Sequence, residues 1–172
     1  MQPDRLRRIR FWLLVFMAGL MLSGVTAFPL RSEVSWLDWV LPEGWLRPAA
    51  EHTGLFAWID QVNQAISLTD ARFPFLAYGT DWLAFAHLVI AVAFIGPLVD
   101  PLRNKWVILF GLIACAGVVP LALIAGQVRD IPLPWRLIDC SFGLLGSIPL
   151  AICLRQIGLM ERSLSPISSR PR

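Results

Sequence analysis

The sequence predicts an all-α integral membrane protein: four transmembrane helices in a compact bundle, with short amphipathic helices in an extracytoplasmic segment between the first and second spans. Three observations predict it. The 172 residues are 56% hydrophobic and only 16% charged, whereas soluble domains carry about 25% charged residues. Four apolar runs reach the roughly 20 residues that a helix needs to cross a bilayer. Lys and Arg are distributed unequally between the ends of those runs. The same composition excludes intrinsic disorder, and three cysteines cannot staple a chain of this length into a disulfide scaffold.

The runs are Phe11 to Leu30, Trp82 to Val99, Trp106 to Gly126 and Leu137 to Gly158, the last carrying Asp139 near its start and Arg155 near its end. Trp12, Trp82, Trp106 and Trp135 stand at or just before their starts, at the headgroup level where an amphipathic indole is most stable. Residues 5–10, 103–105 and 155–172 hold ten Lys and Arg against Asp4, Asp100 and Glu161, a net of +7. The opposite side holds five Arg against nine acids, a net of −4. Both termini are therefore expected in the cytoplasm, with the chain in a plasma membrane, the bacterial inner membrane if the source is bacterial. The basic balance is explained by this asymmetry, so no nucleic-acid partner is expected.

The first run also fits a cleavable signal peptide, with a small-residue site at Val25-Thr26-Ala27. An uncleaved span is favoured, because the run has full spanning length. Its Gly19, Ser23 and Ala27 recur every fourth residue, as a helix-packing face would.

Residues 31–81 form the extracytoplasmic segment. Trp36, Trp39 and Val40 suggest a helical turn before Pro42, and Leu55, Trp58, Ile59, Val62, Ala65 and Ile66 follow the i, i+3, i+4, i+7 pattern of an amphipathic helix. The opposite face, Asp60, Gln61, Asn63, Gln64 and Ser67, has no Lys or Arg to attract anionic lipid. Docking over the bundle is the expected role, and His52 reads as a solvated loop histidine.

Between helices in lipid, association depends on close backbone approach at small residues. In the fourth run Asp139, Gly143, Ser147 and Ala151 recur at intervals of four, and in the third Gly111, Cys115, Ala122 and Gly126 play the same part beside a kink at Pro120. Cys115, Cys140 and Cys153 are expected as packing residues. No Cys and His occur at ligand spacing, so neither a metal nor a cofactor is expected.

Ionisable groups inside a span are costly and need a partner or a purpose. His87 lies five residues beyond Trp82 and Asp139 four beyond Trp135, which places both roughly 6–8 Å beneath the outer interface. If the second and fourth spans are neighbours, imidazole and carboxylate can pair. Arg136 could compete for the carboxylate, and Asp81, Gln127, Arg129 and Asp130 could complete a polar cluster. Asp81 with His87, and Arg136 with Asp139, Gly143 and Gly146, resemble the VanZ-like small membrane proteins. The spacings and the large outer segment depart from that family's pattern, so neither fold detail nor activity is carried over. The expected function is a non-catalytic accessory, assembly or partner-binding component, with the bilayer and a membrane protein or second copy as partners. The alternative is a proton-responsive transporter or substrate-binding protein that uses His87 and Asp139.

Overall fold

The computed structural model describes residues 3–28 and 54–164, together with Ser32 and Trp36 singly. Its elements are all helical: α1 (Pro3–Ala27), α2 (Leu55–Arg72), a 3-10 turn (Pro74–Ala77), α3 (Tyr78–Ala93), α4 (Ile95–Val99), α5 (Lys105–Val128) and α6 (Leu133–Leu164). Four stretches are long and apolar enough to cross a membrane: Pro3–Ala27, Pro74–Val99, Lys105–Val128 and Leu133–Ser163. They are called the first to fourth spans below. Each reaches beyond its uncharged run at one end or both; in the first, third and fourth the added turns carry Lys or Arg, whose long side chains extend toward water while the backbone continues. The third span runs through Pro120 and the fourth through Pro149 without interruption.

The spans meet in pairs. The first packs on the second, the third on the fourth, and the first also packs on the fourth; the second and fourth are not among the closely packed pairs. Both turns of this arrangement have a sequence cause. Gly24 of α1 is buried against the second span, where an added Cβ would stand 2.9 Å from the Ala84 carbonyl oxygen. Gly143 is buried against the third span, where an added Cβ would meet the Cys115 carbonyl oxygen at 2.5 Å. Only the absence of a side chain lets these backbones approach so closely.

The two pairs join at the end that carries both termini. Ile9 and Leu13 of the first span, Phe94, Ile108 of the third, and Leu150, Cys153, Ile157 and Met160 of the fourth form one buried core. Phe94 sits at its centre, between α3 and α4, with its ring 4.8 Å from that of Phe16 and against Gly111. A polar belt surrounds this core. Arg5 donates to Gln156 at 3.3 Å, and Arg10 donates to the carbonyls of Leu98 and Val99 at 3.1 and 3.4 Å, where a cation complements the C-terminal end of a helix. Lys105 pairs with Glu161 at 2.8 Å, and the Asn104 amide donates to the carbonyls of Gly96 and Asp100 at 3.1 and 2.9 Å.

Three expectations need correction. The buried face of the fourth span is Gly143, Leu150, Cys153, Ile157 and Met160, with Gly146 half-buried between them, a spacing that alternates three and four. The stripe at strict intervals of four drifts about 40° per step around a helix of 3.6 residues per turn. Ala151 therefore ends exposed, and Ser147 is half-buried with its hydroxyl donating to Leu144. In the first span the same drift leaves Gly19 with nothing within 4 Å of an added Cβ and Ser23 exposed, while Gly24 makes the contact. The amphipathic helix forms as α2, with Ile59 buried and Gln64 bonded to Asp60 at 3.0 Å. Its close packing partner among the described elements is the 3-10 turn that opens the second span, and the longer helices of the spans are not among its closely packed partners. The turn expected at Trp39 and Val40 and the loop position of His52 lie outside the described residues.

Candidate functional site: a cleft between two helix pairs

Beyond the junction at Phe94, the two pairs separate. Between them lies a half-open cleft of about 660 Å³ to which all four spans contribute, within the roughly 300–1,000 Å³ of small-molecule sites. Its walls include Phe16 and Leu20 of the first span, Ile90 of the second, Phe110 of the third and Phe142 of the fourth. Phe110 and Phe142 are exposed at its margin. Phe94, fully buried, closes the end nearest the termini. Among the described residues no Lys, Arg, Asp or Glu lines it.

His87 is the ionisable nitrogen in this lining. Its Nδ1 lies 2.8 Å from the carbonyl oxygen of Leu83, one turn earlier in the same helix. A carbonyl can only accept, so Nδ1 carries the proton and donates. The local bond explains how an imidazole is accommodated in an apolar span: half of its polar capacity is satisfied by its own helix. Nε2 makes no hydrogen bond to another described residue.

Of the expected polar cluster, the structure brings together Arg136 and Gln127. The Arg136 guanidinium donates to Gln127 Oε1 at 2.7 Å and to the Leu123 carbonyl at 3.4 Å, with its aliphatic stem folded onto Gly126. This latch fastens the third span to the fourth at the loop end. Arg136 therefore turns away from Asp139, although one helical turn separates them. His87 and Asp139 form no ion pair or hydrogen bond with each other, as follows from their placement on spans that are not close neighbours. Asp81, Arg129 and Asp139 make no hydrogen bond or ion pair to another described residue.

The cysteines are free thiols. Cys153 Sγ lies 3.5 Å from the Ile9 carbonyl and Cys140 Sγ 4.0 Å from that of Val119, so each touches the backbone of a neighbouring span. Among the described residues no group of three or more His, Cys, Asp or Glu stands close enough to hold a metal ion.

Sequence reasoning found His87 but missed the cleft. Its walls are ordinary Phe, Leu, Ile and Gly, and nothing in their spacing distinguishes a face that packs from a face that lines a gap. The one available signal was bulk beside a small residue: Phe94, seated against Gly111 and Phe16, marks where the pairs join. No protein family, curated protein or solved structure matches the chain, so the likeness to the VanZ-like proteins remains one of a few single residues.

Proposed function

We propose that the chain is a small polytopic membrane protein that works without catalysis, by binding a membrane-embedded partner in the cleft between its helix pairs. The observation that carries this reading is the cleft itself: all four spans line it, and among the described residues no Lys, Arg, Asp or Glu and no metal-holding cluster faces it. Protein interiors ordinarily close such gaps at near-crystalline density, so one kept open at this size is a place for something else. In this reading both termini face the cytoplasm across a plasma membrane, as the basic residues near them suggest, and residues 31–81 lie outside.

A photoreactive phenylalanine analogue at Phe142 or Phe110, irradiated in intact membranes, tests the proposal. A discrete adduct from these positions, absent when the analogue replaces Leu22 or Val92 on the exposed faces, is the expected result. Its mass distinguishes a lipid, another protein and a second copy of this chain. The same adducts from cleft and outer positions would refute it.

The reading as a proton-responsive transporter is supported by His87 in the cleft, but it has no paired Asp139 to relay a proton. Proteoliposomes showing pH-driven flux that His87→Leu abolishes would restore it.

A further inference from the structure

We infer that the cleft holds a single-chain lipid with an uncharged hydroxyl head, a long-chain alcohol, whose hydroxyl donates to Nε2 of His87. The inference rests on the binding role proposed for the cleft and names its ligand.

The chemistry of the head follows from the lining. With Nδ1 committed to the Leu83 carbonyl, Nε2 is the ring nitrogen left to meet a ligand, and in the Nδ1–H tautomer it is an acceptor that requires an O–H or N–H donor. Among the described residues no carboxylate lines the cleft to hold an imidazolium, and no Lys or Arg lines it to balance a phosphate or carboxylate. An anionic head would bring an unpaired charge into an apolar site, which costs far more than an unpaired hydroxyl. Depth selects in the same direction. His87 lies five residues from Trp82, whose ring stacks edge-on with Tyr78 and Phe85 on an exposed face, so the imidazole sits about 7.5 Å below that aromatic belt. A phosphodiester head would have to leave the interface to reach it, while a single hydroxyl can be accommodated there.

The chain follows from the shape. From Ser23 to Trp12 the first span lines the cleft over 11 residues, about 16 Å of helix, and Phe94 ends it. That length suits a dodecyl chain. Burial of the chain alone confers little selectivity, because acyl tails outside are equally apolar. The hydroxyl bond is what distinguishes this ligand from bulk lipid.

The test compares dodecanol with dodecyl methyl ether, which has the same chain and oxygen but no donor. Delipidated full-length protein in detergent micelles is titrated with each by native mass spectrometry. Dodecanol should bind roughly 3- to 10-fold tighter, the range of one net hydrogen bond. In His87→Leu the alcohol should fall to the level of the ether, and the ether should be unchanged. Equal binding of the two probes to the native chain, or a preference that survives His87→Leu, overturns the inference while leaving an apolar-chain cleft intact. Dodecanoate binding tighter than dodecanol overturns it also, by revealing a charged imidazole. Gly19→Leu, at a position with open space around it, should weaken both probes. If it weakens neither, the chains bind elsewhere and the cleft reading itself fails.

Discussion

At the end that carries the termini, all four spans meet around Phe94 and are tied by Arg5, Arg10, Asn104 and the Lys105–Glu161 pair. At the loop end the closely packed contacts among the described residues are two by two, through Gly24 on Ala84, Gly143 on the Cys115 backbone and the Arg136–Gln127 latch. The first end is therefore one packed unit, and the second is two units with a cleft between them. The difference shows how a small membrane bundle can be stable and still open. Packing at one end fixes the relative position of the pairs, so the other end does not need to close.

The largest expected effect follows from removing the junction. Phe94→Ala should cost about 3 kcal/mol, the lower part of the range for a buried Phe, because the unfolded span remains in detergent or lipid and loses packing more than transfer energy. Thermal unfolding in detergent measures it. A loss below about 1 kcal/mol would mean that the pairs are held together elsewhere.

Glycine substitutions separate packed seam from open face. Gly143→Ala forces a methyl group against the Cys115 carbonyl and should cost about 1–3 kcal/mol. Gly117→Ala, in the third span where an added Cβ meets nothing within 4 Å, should be neutral or stabilising by up to about 1 kcal/mol through helix propensity. Equal losses at both sites would show that the third span packs on more sides than it does here.

The smallest effect concerns two polar groups at the loop end. His87→Ala and Asp139→Asn should be additive within about 0.5 kcal/mol when combined, as expected for residues without a shared contact. A larger coupling would place the second span against the fourth and close the cleft.

What could be read in the sequence, and what could not, divides along the same line. The four spans were legible because length and hydropathy suffice to define a membrane helix, and Lys, Arg and Trp mark its ends. Helix neighbours were not. Asp139, Gly143, Ser147 and Ala151 make a regular stripe, but the buried face follows a spacing near 3.5 that includes the bulky Leu150, Ile157 and Met160. Depth counted from Trp82 and Trp135 puts His87 and Asp139 at similar levels, yet similar depth does not imply contact. The imidazole found its partner in its own helix at Leu83, a local solution that no count along two helices reveals.

The most direct test of a bundle joined at one end and open at the other is cysteine cross-linking with Cys115 and Cys140 replaced by Ala. Ile9→Cys beside the native Cys153, whose Sγ already touches the Ile9 carbonyl, should form an oxidative cross-link between the first and fourth spans. Gly19→Cys with Leu145→Cys, both of which line the cleft from different spans, should not. Efficient linking of both pairs would contradict the open cleft, and failure of the first pair would contradict the junction on which it depends.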